Sequence, residues 1–213
     1  IVMITPDGER TMATYLGISN HFSHNELHPE AIRKSEFLYI EGYLLSSQSG
    51  FYASMKARDM AISGNTKITL SLSDSFIVSS FKEQLTELLT EKIDLLFCNQ
   101  AEAFEFAQTS HLEGIKEPLR KISRLSVVTL GKNGALIITK DSEIRIESFQ
   151  TTPIDTNGAG DTFAGIFLSE YIKHGQLEKA GRVASFAASK VVAQFGARLS
   201  SSNVGIVKQF KLS

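Results

Sequence analysis

The sequence predicts an α/β fold with a central, mostly parallel sheet. From Lys67 onward, short apolar runs alternate with segments of helical spacing, the order that right-handed strand-helix-strand crossovers produce. Helix-stop signals at Gly64-Asn65, Gly175 and Gly196 separate the two kinds of segment. Polar or glycine clusters also follow several predicted strands, where the carboxyl edge of an open parallel sheet gathers ligands.

Taken in order, Ile1 to Ile4 and Arg10 to Leu16 are apolar or β-branched runs joined by Thr5-Pro-Asp-Gly-Glu9, which reads as a β-hairpin with Pro6-Asp7-Gly8 at its turn. Ser19 to Pro29 reads as polar loop. Phe37 to Ile40 is a short buried strand broken by Gly42, and Gln48 to Ile62 has helical spacing. Then follow strand Ile68 to Leu72, a helix from about Phe76 to Leu89, strand Leu95 to Cys98, and a helix from about Ala101 to Gln108. A short helix near Leu119 leads to strands Val127 to Leu130, Ala135 to Thr139 and Ile144 to Ile146. Two helices fill the last third. Phe163, Ile166, Phe167 and Tyr171 make the core stripe of one; Leu177, Ala180, Ala184, Ala187, Val191 and Phe195 make that of the other. No linker or repeat interrupts the chain, so residues 1–213 are expected to form one domain.

Composition narrows the function. The 213 residues are 42% hydrophobic and 21% charged with a formal net charge of −1, a soluble globular balance with no field for nucleic acid or anionic lipid. The lone Cys98 excludes an internal disulfide. His21, His24 and His28 sit among polar loop residues and read as a solvated turn rather than a ligand set. No run reaches membrane-spanning length and no secretory leader opens the sequence, which makes a cytoplasmic protein with a small-molecule ligand the expectation. Ile1 already reads as a strand in progress, so part of the molecule is expected to precede it.

The chemistry concentrates at Asp155 to Asp161, where two aspartates bracket Gly158 and Gly160 ahead of a helix. Bare N–H groups of Gly158, Ala159 and Gly160 at a helix start suit an anion. A carboxylate in that same turn suits a hydroxyl that attacks the anion, which gives Asp161 orientation and late proton acceptance. A dinucleotide fingerprint would need Gly where Phe163 stands, and a Walker A loop would need Gly-Lys where Phe163-Ala164 stands. Asp155 either binds substrate or holds the turn through its own hydrogen bonds. Asn99 and Glu102 start a helix three residues apart; they form either an N-cap box or an oxygen pair for Mg²⁺. Thr129 to Gly134 is either a plain hairpin turn or a close approach to a nucleotide, with Gly131, Gly134 and the Thr129 hydroxyl on it.

The string I-D-T-N-G-A-G-D-T-F-A-G at 154–165 resembles the second signature of the ribokinase-like (PfkB) carbohydrate and nucleoside kinases. Within that family the chain is most similar to adenosine kinases and bacterial adenosine kinase-like sugar kinases. P-D-G-E-R-T-M at 6–12, Y-L-G at 15–17, E-G-Y-L at 41–44, S-L-S-D-S-F at 71–76, N-Q-A-E at 99–102 and T-L-G-K-N-G at 129–134 carry that similarity. The resemblance implies a three-layer ribokinase-like fold, with residues 1–17 as the remnant of a lid hairpin and 37–213 as the ATP-binding and catalytic core. It implies ATP and Mg²⁺, Asp161 as base and the Gly158 to Gly160 amides as anion hole. Arg10, Asp155 and Thr156 would face the substrate or phosphates. Thr129, Gly131, Gly134, Ala188 and Gly196 would line ATP, and Asn99 and Glu102 would support Mg²⁺. Many members also use a monovalent cation such as K⁺, which would lie near Asp155 and Ala197.

Family members begin with about a hundred further residues, judged from ordinary domain length, so the fold is expected to be N-terminally incomplete. A bare sheet edge would then leave this chain alone poorly soluble or inactive. The leading function is transfer of the ATP γ-phosphoryl to a hydroxymethyl group of a nucleoside, adenosine first, by a monomer or homodimer. Its rivals are a kinase for a free sugar such as ribose or fructose, and a truncated nucleotide-binding fragment without activity.

Overall fold

A computed structural model describes residues 1–5, 10–91 and 93–212. The expected hairpin is present: β1 (Val2–Ile4) pairs antiparallel with β2 (Arg10–Met12), Met3 opposite Thr11. Its turn, Pro6 to Glu9, lies outside the described residues. The second strand ends at Met12 rather than running on to Leu16, and residues Gly17–His21 and His24–Glu26 form 3-10 turns. Ser23 and Glu26 close the second of these as a capping box. A short helix absent from the sequence reading, α1 (Pro29–Lys34), follows with Pro29 in its first turn, where the missing N–H costs nothing.

The main sheet contains β3 (Phe37–Glu41), β4 (Lys67–Ser71), β5 (Ile93–Asn99), β6 (Ser123–Thr129), β7 (Ala135–Thr139) and β8 (Glu143–Ile146), side by side in chain order. The β3/β4 and β4/β5 pairs are parallel, Ile40 facing Leu70 and Leu70 facing Leu96. The mostly parallel α/β architecture read from the sequence is therefore the observed one. Between these strands run α2 (Gln48–Ser63), α3 (Ser75–Ser80), α4 (Lys82–Leu88), α5 (Gln100–Ala107) and α6 (Leu112–Ile122). The single helix expected from Phe76 to Leu89 is broken at Phe81, whose extended φ of −121° caps α3 and starts α4. After the sheet come α7 (Ala159–His174), α8 (Leu177–Val192) and α9 (Ser201–Leu212). The last of these is also a helix the sequence reading did not contain.

The chain divides into two compact units. One comprises Ile1–Thr14, Thr129–Ile137 and Glu143–Ser213, the other Tyr15–Val128 and Ile138–Ser142. In the second unit, the parallel strands bury Ile40, Leu70, Leu95 and Leu96, so β5 is apolar on both faces as a covered parallel strand must be. Arg58 on α2 is buried there because its guanidinium donates to the Glu87 and Leu88 carbonyls, satisfying the C-terminal end of α4.

In the first unit, α7 and α8 bury Phe163, Phe167, Ala180, Ala184, Ala187 and Val191, each large side chain contributing about 2 kcal/mol by removal from water. Gly181 lets α8 approach the sheet, since a Cβ there would stand 2.7 Å from Ile146 Cγ1. One stripe residue departs from expectation: Phe195 is 77% exposed. The helix stops at Val192 with Ala193 as its C-cap, so helical spacing no longer governs where Phe195 points. α9 docks through buried Val207 and through Phe210, which stacks on Phe186 at 4.1 Å and meets Phe149 edge-on. Among the described residues no helix is long and apolar enough to cross a membrane.

Candidate active site

The Asp155 to Asp161 turn is built from both sides of its glycines. Pro153 and Ile154 arrive from β8, and main-chain N–H groups of Ile154 and Asp155 donate to the Val192 carbonyl at 2.7 and 3.3 Å, which pins the segment to the end of α8. Asp155 is 3% exposed. One of its carboxylate oxygens accepts the Asn157 N–H at 2.8 Å and the other accepts the Gly196 N–H at 2.9 Å. Of the two roles open to it, the geometry displays the turn-holding one: a local Asx turn and a tether to a residue far along the chain. Thr156 is half-buried between them.

Gly158 is the N-cap of α7 and adopts a left-handed conformation, φ 74° and ψ 3°. Its α-carbon packs against Ala197, where a Cβ would come within 2.7 Å of the Ala197 methyl and nearer still to its carbonyl oxygen. Having no side chain, Gly158 caps none of the N–H groups that begin the helix. Ala159 makes only a long turn bond to the Thr156 carbonyl, 3.4 Å, and the Gly160 and Asp161 N–H groups donate to no acceptor among the described residues. Asp161 occupies the third position of the helix, is exposed, and forms no ion pair among the described residues. An anion-seeking helix start thus carries one solvent-facing carboxylate, the pairing of charges that the sequence reading found informative.

The same unit holds the residues named for ATP. Thr129 is the last residue of β6 and half-buried. Gly131 is exposed with φ 57° and open space where a Cβ would stand, while Gly134 is buried with its α-carbon hard against the Ile146 carbonyl. Gly134 therefore has a packing reason of its own, and Gly131 is the glycine that faces outward. Leu130 N–H donates to the Gly134 carbonyl at 2.8 Å, closing the turn. Ala188 is half-buried on α8, and Gly196 is the exposed partner of Asp155. The backbone of Arg10 lies in β2, and its side chain is outside what is described.

Asn99 and Glu102 belong to the other unit, at the carboxyl end of β5 and the first turn of α5. They form a full capping box: Asn99 Oδ1 accepts the Glu102 N–H at 2.9 Å, and Glu102 Oε2 accepts the Asn99 N–H at 2.9 Å. Asn99 Nδ2 also donates to Glu102 Oε1 at 2.6 Å. The box holds a carboxylate, 5% exposed, at the strand end. Next to it, burial and then the Glu102 charge push the Cys98 thiol well above its usual range. An amide oxygen and a carboxylate together are a hard donor set of the kind that fits Mg²⁺ through retained waters. Both readings of the pair, cap and cation support, are compatible in one geometry.

Sequence reading named Gly196 for the nucleotide and Ala197 for a monovalent cation, but not their contacts with Asp155 and Gly158, and it missed residues 198–203.

Adenosine kinase 2 of Arabidopsis thaliana is 27% identical over 89% of this chain and 59% of its own length. The crystal structure of adenosine kinase from Sinorhizobium meliloti superposes with a TM-score of 0.93 at 29% identity, covering 98% of this chain and 64% of that one. A protein of Rhizobium etli CFN 42 described as a "probable sugar kinase protein" superposes with a TM-score of 0.94 at 29% identity, over 100% of this chain and 65% of its own. The chain spans 59 to 62% of the length of the adenosine kinases it matches. The family model for pfkB family carbohydrate kinases matches residues 1–203, and the chain belongs to that family.

Proposed function

We propose that the protein transfers the γ-phosphoryl group of ATP to a hydroxymethyl group of a nucleoside, with adenosine the favoured acceptor and the cytoplasm its place of action. The observation that carries the reading is the start of α7, where Gly160 and Asp161 N–H groups with no acceptor among the described residues and an exposed Asp161 carboxylate occupy one turn. Phosphoryl transfer asks a protein mainly for alignment and charge neutralisation. The N–H groups of Gly158, Ala159 and Gly160 receive the charge on the transferring phosphoryl oxygens. Asp161 orients the acceptor hydroxyl and takes its proton as the new O–P bond forms and the bond from Pγ to the bridging oxygen of ADP breaks.

Thr129, Gly131 and Ala188 serve the nucleotide, and Arg10 and Thr156 its phosphates. Mg²⁺, when bound, neutralises charge on the phosphate oxygens, and Asn99 and Glu102 are the residues that would hold it. Glu102→Gln tests that assignment, because the single amide oxygen of glutamine can keep the bond from the Asn99 N–H while the charge and the bond from Asn99 Nδ2 are lost. The Mg²⁺ concentration for half-maximal rate is expected to rise about tenfold, with a melting temperature lowered by the one buried hydrogen bond. An unchanged Mg²⁺ requirement reduces Glu102 to a cap.

A free-sugar acceptor is the second reading, supported by the sugar kinase description of one structural neighbour. ADP formation with adenosine, inosine, ribose and fructose separates the two. Adenosine is expected to give the highest kcat/KM. Equal rates across the panel remove the nucleoside preference, and ATP binding without ADP formation from any acceptor leaves a nucleotide-binding protein.

A further inference from the structure

The Asp155 tether to Gly196 is one link in a longer series of hydrogen bonds that ends on α9. Asn203, in the first turn of that helix, donates from Nδ2 to Gln194 Oε1 at 2.8 Å. Gln194 in turn donates from Nε2 to the Arg198 carbonyl at 2.5 Å, closing the 194–198 loop on itself. Within that loop Gly196 N–H meets Asp155 Oδ2, and Ala197 packs against Gly158. Asp155 Oδ1 then fixes Asn157, one residue before the N-cap of α7. Both ends of the Gln194 amide are engaged, its oxygen by α9 and its nitrogen by the loop, so the side chain ties the loop to the helix. α9 itself is seated independently, by buried Val207 and by the stacking of Phe210 on Phe186.

We infer that Gln194 and Asn203 are positioning residues for the anion turn: they hold the 194–198 loop so that Gly196 and Ala197 fix Asp155 and Gly158, and through them the start of α7. Neither residue lies in the glycine string or touches a reacting atom. Their effect is on where the Gly158 to Asp161 backbone sits, a quantity to which transfer chemistry is steeply sensitive. A series of contacts shows coupling only when perturbing one end moves the other, so the inference stands on a measurement.

Two variants cut the series without removing α9. Asn203→Asp keeps shape, and an acidic residue in a first helical turn favours the helix, but it deletes the donor to Gln194 and the longer 3.5 Å contact of that same amide with the Lys190 carbonyl. If the Gln194 amide turns over to donate to the new carboxylate, its bond to the Arg198 carbonyl is lost instead. Gln194→Ala removes both bonds. Amide hydrogen exchange is expected to quicken about tenfold at Asn157 and Gly196 in each variant while α8 and the Val207 end of α9 keep wild-type protection. The rate constant kcat is expected to fall about tenfold with the KM for ATP within about twofold, and the double variant to be no worse than the poorer single one. Lys208→Ala, exposed on the same helix, should change none of these. Unaltered exchange at Asn157 and Gly196 in both variants, or strictly additive losses, overturns the inference. The kinetic arm rests on the proposed phosphotransfer; the exchange arm does not, so absence of kinase activity in the wild type sinks the function and leaves the coupling measurable. If Gln194→Ala loosens the whole unit, Asn203→Asp decides.

Discussion

Asp161→Asn is expected to lower kcat by about 10³-fold or more while leaving ATP affinity and melting temperature unchanged. The size follows from what the substitution removes. An amide in place of the carboxylate cannot accept the hydroxyl proton, and it no longer orients the O–H by presenting two acceptor oxygens. Stability is expected to hold because the side chain is exposed and makes no ion pair among the described residues. Asparagine is also tolerated in the first turn of a helix, so the N–H groups around it keep their positions. Steady-state kinetics, ATP binding by calorimetry and thermal unfolding check the three parts separately. A surviving rate within tenfold of wild type would mean that Asp161 is not the proton acceptor. Joint loss of ATP binding and activity would instead move the residue into the anion site itself.

The strands and the glycine turn that starts α7 were legible because their determinants are local. Ala135 to Thr139 is continuous apolar sequence between turn residues, and the strand found there has those bounds. The start of α7 was visible because glycines precede a stripe whose Phe163 and Phe167 are both buried. What stayed hidden depends on partners distant in sequence. In α9, Val204 and Ile206 are exposed, and among the residues of known burial only Val207 is buried, so no clear amphipathic stripe announces the helix; Phe149 and Phe186 give it a seat. Arg58 reads as a surface charge until α4 presents its carbonyls. The role of Asp155 was open for the same reason. Its local bond to Asn157 follows from Asx-turn chemistry, but the Gly196 N–H that takes its other oxygen stands 41 residues away. Phe195 shows the converse error, a periodic stripe extended past the residue where the helix ends.

The contrast between Gly158→Ala and Gly160→Ala separates backbone strain from anion approach within a single turn. Gly158 has φ 74°, and a side chain there costs about 1–2 kcal/mol in the left-handed region before any contact is counted. The new methyl would also stand 2.8 Å from the Ala197 carbonyl carbon and closer to its oxygen, so backbone on one side must shift. Together these predict a loss of about 3 kcal/mol, or roughly 6–12 °C in melting temperature for a chain of this size. Since Ala197 and Gly158 cannot both stay in place, the N–H groups that follow move as well, and kcat is expected to fall by about 10² or more. Gly160 is different. Its φ is not positive and no atom lies within 4 Å of where its Cβ would be, so alanine there should hold or slightly raise the melting temperature, as at any compatible helix position. Any loss of kcat/KM for ATP in Gly160→Ala must then come from a methyl obstructing an approaching phosphate, not from a disturbed fold. Thermal unfolding and ATP kinetics on the two variants give four numbers. Strain at the cap predicts that both fall in Gly158→Ala, and a bare-backbone anion site predicts that only the kinetic one falls in Gly160→Ala. Wild-type melting in Gly158→Ala would show that the Ala197 contact yields without cost, and wild-type ATP kinetics in Gly160→Ala would place the phosphate away from this glycine.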